Sequence, residues 1–169
     1  LTEPSAALVE DLKRLEGDIM VLGAGGKMGP DICVLAKKAS VLGGSDRKIY
    51  AVSRFSDAAA AERLRSHGVT VIAADLMDAN ALQALPDCKN IIYMAGRKFG
   101  TNGTEYLTWG MNAWLPCMVV QRFRQSNIVV FSSGNLYPKV STASGGATER
   151  VRTVPVGEYC MSCLGRERA

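Results

Sequence analysis

Residues 18–29 read DIMVLGAGGKMG, a short apolar run that ends in a cluster of glycines. An apolar run of this length, stopped by glycine, is typical of a strand that is buried on both faces of a parallel sheet. After the glycines, apolar residues recur at helical spacing, at Met28, Ile32, Leu35 and Ala36. The stretch therefore predicts a buried strand, a tight turn and a helix in direct succession.

The same alternation continues through the rest of the chain. Further apolar runs predict strands at 48–54, 69–76, 90–96 and 128–133. Helical patterns occur at 57–68, 79–85 and 104–125, and another helix opens near Gly157. Strands that alternate with helices form βαβ units, with helices on both faces of a parallel sheet. Because such crossovers are right-handed, we predict an α/β fold with a doubly wound Rossmann sheet of strand order 3-2-1-4-5.

A separate segment, 1–17, precedes the first predicted strand. Its leucines recur at helical spacing, at Leu8, Leu12 and Leu15. We therefore expect an N-terminal amphipathic helix packed on the domain, with 18–169 forming the Rossmann domain itself. The last predicted helix has hardly begun where the chain ends at Ala169, so we expect a C-terminal, substrate-binding portion to lie outside this chain.

Composition narrows the range of partners. The chain has 169 residues, 47% of them hydrophobic, which is enough for one domain with a sizeable core. Its net charge of +4 suits an anionic ligand, but no basic run is interleaved with aromatics, so we expect no nucleic-acid partner. No apolar stretch approaches the roughly 20 residues of a membrane span, and the N-terminus lacks the layout of a signal peptide. Five cysteines, without the spacing of a small disulfide scaffold, favour reduced thiols and a cytoplasmic location.

The glycine cluster has the chemistry of a dinucleotide-binding turn. Gly23, Gly26 and Gly29 would allow a tight turn, close approach of the backbone to a pyrophosphate and close packing of the helix on the strand. The helix N-terminus would offer N–H groups and its positive dipole end to the phosphates. The spacing is GxxGxxG, not GxGxxG. We expect Lys27 and Met28 among the cofactor contacts, and a tight turn without a ligand remains the alternative.

The end of the second predicted strand bears on the choice of cofactor. An acidic residue there would accept hydrogen bonds from ribose hydroxyls and select NAD, but this chain has Ser53 and Arg54. Arg54 would pair with a 2′-phosphate, with help from Lys27, which favours NADP over NAD. A solvated Arg54 is the alternative. After the third strand, Asp75 would accept from the adenine amino group, and Leu76 would offer an apolar contact.

Six stretches, in order along the chain, carry a family resemblance. The chain resembles the N-terminal, cofactor-binding portion of the extended short-chain dehydrogenase/reductases, the NAD-dependent epimerase/dehydratase family. The resemblance implies hydride-transfer chemistry, as an oxidoreductase, epimerase or dehydratase, on a nucleotide sugar or a related hydroxyl substrate. The matching stretches are GAGGKMG (23–29), AADL (73–76), YMAGRKFG (93–100), WGMNAW (109–114), VVFSSGNLYP (129–138) and PVGEYCMSCLGRE (155–167).

The resemblance assigns roles to residues in the middle of the chain. In the family, the loop after the fourth strand lies along the cofactor, which implies contacts from Met94, Ala95 and Gly96. Lys98 of the same loop would also face the cofactor, or else be solvated. Asn112 matches an asparagine that helps to hold a proton-relay water, and a polar residue on an exposed helix face is the alternative.

The resemblance also implies a catalytic pair. Ser133 matches the catalytic serine, Ser132 its neighbour on the cofactor side, and Tyr159 the catalytic acid/base. A pair of serines at the end of a strand also suits the capping of the next turn.

Cys163 departs from the family pattern. A free phenol has a pKa of about 10, so only about 0.1% is phenolate at pH 7, and a nearby cation lowers that pKa by about 1–3 units. The family keeps a lysine one helical turn after the tyrosine, where this chain has Cys163, a neutral thiol and a poor donor. Three interpretations stay open: activation by the positive nicotinamide ring, a cation from elsewhere such as Lys98 or Lys139, or cofactor binding without catalysis.

Two further features bear on metal binding and on assembly. Cys160 and Cys163 form a CxxC pair, but a second ligand pair is absent from the sequence and His67 is the only histidine, so we expect no metal site. The helix near 104–125 often helps subunits of this family to pair, which implies a possible homodimer. Core packing explains its tryptophans equally well.

The first prediction concerns the cofactor. Because Ser53 and Arg54 stand where an acidic residue would select NAD, the protein should bind NADPH more tightly than NADH in calorimetry at one salt concentration. Arg54→Asp should remove that preference. Equal affinities in the parent, unchanged by Arg54→Asp, would mean that Arg54 points into solvent.

Overall fold

The sheet is the central element of the computed structural model, which describes residues 2–100 and 102–169. Within those residues, five parallel strands are arranged in the order β3-β2-β1-β4-β5, which confirms the predicted doubly wound α/β fold. The strands are β1 (Ile19–Leu22), β2 (Ile49–Ser53), β3 (Thr70–Ala73), β4 (Asn90–Tyr93) and β5 (Asn127–Val130).

The register brings the carboxyl ends of the central strands to one edge. Leu22, the last residue of β1, is paired with Val52 of β2 and with Tyr93 of β4. All four residues of β1 are buried, as a strand covered on both faces requires. The turns that follow these strands therefore leave the sheet at the same edge, where open α/β sheets bind ligands.

Seven α-helices occur in the described residues. Ser5, Asp57 and Asp78 each cap the first turn of a helix by accepting from backbone N–H groups. The helices are α1 (Ala6–Arg14), α2 (Gly29–Leu42), α3 (Ala58–Ser66), α4 (Ala79–Gln83), α5 (Glu105–Trp109), α6 (Leu115–Arg122) and α7 (Gly157–Arg168), with a π-helical segment (Gly110–Trp114) between α5 and α6. None of them combines the length and the apolar character that a bilayer crossing demands.

The predicted helix at 104–125 differs from the observed one in two ways. The π-helical segment interrupts it, and α6 ends at Arg122, so that Asn127 begins β5. The guanidinium of Arg122 donates to Leu85 O and to Asp87 Oδ1, while Ser126 Oγ donates to Cys88 O. These long-range bonds draw the chain out of the helix earlier than local periodicity indicates.

The described residues form two compact units. The first extends to Ala95 and includes Gln121–Val130, so it contains the whole sheet. The second consists of Gly96–Val120 and Phe131–Ala169. In the second unit, α7 approaches the π-helical segment closely at Gly165, where an added Cβ would lie 2.9 Å from Ala113 Cβ.

Within the first unit, a buried arginine holds the N-terminal helix to the neighbouring elements. Leu12 and Leu15 pack against the core, and Arg47 is only 6% exposed. Its guanidinium donates to Leu12 O at 3.1 Å, to Leu15 O, to Gly17 O at 2.5 Å and to Ser40 Oγ at 3.3 Å. One side chain thus satisfies the carbonyls at the end of α1 and links them to α2.

Arg47→Met should lower the free energy of unfolding by roughly 2–4 kcal/mol, because several buried acceptors lose a charged donor. Denaturant unfolding measures the change. Arg65→Met is the matched control: Arg65 is half-exposed and, within residues 2–100 and 102–169, forms an ion pair with Glu62 alone, so its loss should cost less than about 1 kcal/mol. Equal effects of the two substitutions would contradict the role given to Arg47.

Candidate cofactor and catalytic sites

Two glycines of the turn after β1 are required by packing. Gly23 has φ +87°, and an added Cβ would lie 2.5 Å from Ala95 N. A Cβ on Gly29 would lie 2.4 Å from Ala24 O. Side chains at these positions would collide with backbone, so the fold needs both glycines whether or not a ligand binds.

Gly26 is different, because the fold leaves room beside it. An added Cβ would meet only Gly23 O, at the ordinary contact distance of 3.5 Å, and the residue is exposed. Next to it, α2 begins, and no described side chain caps the N-terminus of this helix at Met28. Exposed backbone at the N-terminus of a 14-residue helix fits the phosphates of a dinucleotide. Lys27 and Met28 are exposed in the same turn.

Ser53 is the last residue of β2, and Arg54 follows it. A Cβ on Gly25 would lie 2.6 Å from Ser53 Oγ, so the serine contacts the glycine turn directly. Arg54 is exposed, and no described carboxylate forms an ion pair with it. The next residue, Phe55, has φ +46°, a conformation that is strained for a bulky side chain and that often occurs at functional sites. The sequence gives no signal for this strain.

The end of β3 places Asp75 in a tight turn. Ala74 N donates to Ser53 O at 2.9 Å, which holds this segment beside β2. Asp75 is exposed, and its Oδ1 accepts from Met77 N at 3.0 Å. Leu76 is only 6% exposed. The carboxylate is thus oriented by its own turn.

The loop after β4 begins against the glycine turn. Met94 N donates to Leu22 O at 2.8 Å, and Ala95 is buried with its backbone against Gly23. Gly96 and Lys98, which belong to the second unit, are exposed.

Asn112 is completely buried in the π-helical segment, which excludes the alternative of an exposed helix face. Its Oδ1 accepts from Arg97 N at 2.7 Å and from Arg166 Nη2 at 2.9 Å. Its Nδ2 donates to Arg97 O and to Ser162 Oγ, both at 2.9 Å. Both acceptor sites and both donors of the amide are therefore used within the second unit.

The two adjacent serines have different partners. Ser132 Oγ donates to Glu167 Oε1. Ser133 Oγ accepts from Asn135 N at 3.3 Å, which caps the short helical turn Gly134–Leu136, and Ser133 also shares a hydrogen bond with the hydroxyl of Tyr159. Ser133 therefore both caps a turn and contacts the phenol.

The surroundings of Tyr159 act on its acidity in opposite directions. Burial raises the pKa of its phenol most strongly, and the hydrogen bond with Cys163 raises that pKa as well. The hydrogen bond with Ser133 and the positive charge of Arg166 lower it, but the net effect on the pKa is an increase. Lys98 Nζ lies 5.8 Å from the centroid of the Tyr159 ring.

Arg166 is the site residue that sequence reasoning missed. It lies on α7, seven residues after Tyr159, and is 8% exposed. The available signal was the helical spacing of Tyr159, Cys163 and Arg166, which puts all three on one face. Family matching directs attention to the fourth residue after the tyrosine and passes over the seventh.

The structure gives no support for metal binding by Cys160, Cys163 or His67. Among the described residues, no three His, Cys, Asp or Glu side chains come together in a way that would hold an ion. His67 is exposed at the end of α3, where its Nδ1 lies 2.8 Å from Arg63 O.

Comparison with known families gives a match over most of the chain. A family model described as "NAD dependent epimerase/dehydratase family" matches residues 19–164. This match confirms the resemblance inferred from the sequence motifs. A comparison with curated proteins found no match.

Several solved structures share the fold at low sequence identity. ADP-L-glycero-D-manno-heptose-6-epimerase from Helicobacter pylori has a TM-score of 0.74 and 16% identity, over 95% of this chain and 52% of that chain. UDP-glucuronic acid 4-epimerase from Bacillus cereus, in complex with NAD, has a TM-score of 0.66 and 16% identity, over 89% and 50%. RMD from Pseudomonas aeruginosa, complexed with NADPH, has a TM-score of 0.61 and 16% identity, over 90% and 48%. The chain thus spans about half the length of these structures.

Tyr159 should titrate above the ordinary range of a free tyrosine, because burial raises its pKa. Ser133→Ala should raise that pKa further, since the Ser133 hydrogen bond stabilises the phenolate. The measurement is a pH titration of phenolate absorbance, taken as the difference between each protein and the same protein carrying Tyr159→Phe.

Ser132→Ala is the matched control for this titration. Ser132 bonds to Glu167, so its loss should leave the pKa of Tyr159 unchanged. A parent that titrates below the ordinary range, or an equal response to both serine substitutions, would contradict the arrangement described.

Proposed function

Because the chain belongs to the NAD-dependent epimerase/dehydratase family, we propose that it is the cofactor-binding portion of an enzyme that transfers hydride at a hydroxyl-bearing carbon. The observation that carries the proposal is the hydrogen bond between Ser133 and Tyr159. Two side chains that the family uses for proton transfer, far apart in sequence, lie in contact. Residues 18–169 then constitute the NAD(P)-binding domain, and 1–17 an appended helix.

The glycine turn is the proposed cofactor site. Open space beside Gly26 and the uncapped start of α2 suit a pyrophosphate, and the exposed guanidinium of Arg54 suits a 2′-phosphate, which favours NADP. Asp75 and Leu76 would contact the adenine. When bound, NAD(P) supplies the hydride acceptor or donor. The similar structures carry NAD in one case and NADPH in another, which agrees with a nicotinamide cofactor of either kind.

The second unit supplies the residues for proton transfer. In the proposed reaction, Tyr159 exchanges a proton with the substrate oxygen, and Ser133 holds that oxygen by a hydrogen bond. Asn112 fixes the backbone of Arg97, and with it the loop that carries Gly96 and Lys98. The raised pKa keeps Tyr159 protonated at neutral pH, which suits donation of a proton to a carbonyl oxygen.

The substrate class and the assembly are proposed from the similar structures and from exposed aromatic side chains. Two of the similar structures are epimerases of nucleotide-linked sugars, which favours a nucleotide sugar or a related hydroxyl compound as substrate. The segment from α5 to α6 exposes Tyr106 (71%) and Trp114 (62%). Such exposed aromatic side chains suit a homodimer contact.

A second candidate function is cofactor binding without turnover. It is favoured by Cys163, which stands where the family keeps its lysine and which raises the pKa of Tyr159. In that case the protein would sense the redox state of the cofactor and catalyse nothing.

Gly26→Val should abolish cofactor binding and leave the fold intact. The added branches would occupy the space where the backbone must approach a pyrophosphate, whereas the nearest protein atom to a Cβ there is at an ordinary contact distance. Calorimetry with NADPH and near-ultraviolet circular dichroism measure the two effects.

Gln125→Val, in the turn before β5 at the opposite edge of the sheet, is the control and should bind as the parent does. A Gly26→Val variant with parental affinity would remove the dinucleotide site. Turnover of nucleotide sugars by the full-length protein, lost in Tyr159→Phe while NADPH still binds, would support the enzyme. Binding without any turnover would support the sensor.

A further inference from the structure

Arg166 lies on the same face of α7 as Tyr159 and Cys163. The three positions are separated by four and three residues, so they form one line along the helix. Side chains on a helix lean towards its N-terminus, which is the direction of Cys163 and Tyr159 from Arg166. Cys163 is fully buried and Arg166 nearly so.

Two of the groups that hold the guanidinium are neutral acceptors. Nη1 donates to Phe131 O at 2.9 Å, and Nη2 donates to Asn112 Oδ1 at 2.9 Å. Gly96 leaves room for it, since a Cβ there would lie 2.7 Å from Nη2. Neither bond cancels the charge of the guanidinium. A fixed charge in a buried place acts more strongly on its neighbours than one in water.

From this geometry we propose that Arg166 is the cation that acts on Tyr159, in place of the lysine that the family keeps at the position of Cys163. The inference rests on the proposed function, because it gives Tyr159 the role of the proton-transferring group. Arg166 acts through Tyr159 and is therefore a positioning residue. The positive charge lowers the pKa of the phenol and opposes the effect of burial.

The other charged groups around Tyr159 do not fill this role. Lys98 is exposed and lies over the face of the ring, 5.8 Å from its centroid, so water screens its charge. On α7 itself, Glu158 accepts from Trp109 Nε1 and Glu167 accepts from Ser132 Oγ. The Cys163 thiol acts in the opposite direction and raises the pKa of Tyr159.

The proposed role of Arg166 gives a steric and electrostatic reason for a cysteine, instead of a lysine, at position 163. A lysine at 163 would bring a second positive charge onto the buried face of α7 that carries Arg166. Two like charges in such a place repel strongly. Cys163 is small and neutral, so it leaves the space to Arg166.

The test is the pKa of Tyr159 in variants that remove the charge. Arg166→Met should raise that pKa, measured by phenolate titration against the same variant carrying Tyr159→Phe. Arg166→Gln keeps an N–H donor for Asn112 but not the charge, so it should give the same direction of shift if Arg166→Met fails to fold. Arg166→Lys should retain most of the parental value. Lys98→Met is the control and should shift the pKa much less.

A second test introduces a positive charge at position 163, where the family keeps its lysine. In the double variant Cys163→Lys, Arg166→Met, the pKa of Tyr159 should return towards its parental value. A shift in Arg166→Gln or Arg166→Met no larger than that in Lys98→Met would overturn the role of Arg166. So would a double variant that stays as high as the single one.

The two proposals fail in different ways, because the titration needs neither cofactor nor substrate. An unmoved pKa in an enzyme that turns over normally overturns the role of Arg166 alone. In an active enzyme, Arg166→Gln should shift the basic limb of the pH profile of kcat/KM to higher pH, in step with the pKa of Tyr159. Loss of a merely structural residue would not cause such a shift. Absence of turnover together with a moved pKa overturns the hydride-transfer proposal and leaves the electrostatic role in place.

Discussion

The close approach of backbones around the turn after β1 is the constraint on which the sheet depends. At Gly23 the chain passes so near to Ala95 that a Cβ would lie 2.5 Å from its nitrogen, and at Gly29 it passes as close to Ala24 O, at 2.4 Å. β1 is bonded to β2 on one side and to β4 on the other, so a displaced turn would disturb both ladders. Packing therefore dictates these two glycines, whereas the fold itself leaves room for a side chain at Gly26.

In the second unit a single amide has a comparable organising role. The Asn112 side chain makes four hydrogen bonds, to both backbone groups of Arg97, to Ser162 and to Arg166. It thereby joins the loop after β4, the π-helical segment and α7. A buried polar group that is fully bonded fixes one arrangement, whereas a partly bonded one costs free energy. The position of the charge on Arg166 thus depends on an amide whose donors and acceptor are all bonded within the second unit.

The sequence predicted those features that follow from local pattern. Apolar runs located all five strands within a few residues, and the glycines located the turn, because burial on both faces leaves a pattern that a short window shows. It did not predict the end of α6 at Arg122, which long-range bonds to the chain before β4 determine. The left-handed backbone of Phe55 and the π-helical segment also lack a local signal. Motif matching placed Ser133 with Tyr159, but it could not find Arg166. A family motif specifies a position in the sequence, whereas the chemistry requires a positive charge near the phenol, whichever position supplies it.

The requirement for a positive charge near the phenol explains why loss of a motif residue need not mean loss of the chemistry. A phenol in a buried setting resists ionisation, and burial is the largest influence on the pKa of Tyr159. A cation can oppose this from any position that brings it near the hydroxyl, and a helix offers the seventh residue as well as the fourth on the same face. An arginine suits the more distant position, since its planar, delocalised charge is more weakly hydrated than an ammonium and is held by two oriented bonds at once. With the guanidinium bonded to Phe131 O and Asn112 Oδ1, its charge is fixed by the residue that follows β5 and by the π-helical segment together. The acidity of Tyr159 is then set by the packing of the second unit as a whole, and the cysteine at 163 is a consequence of where the charge lies.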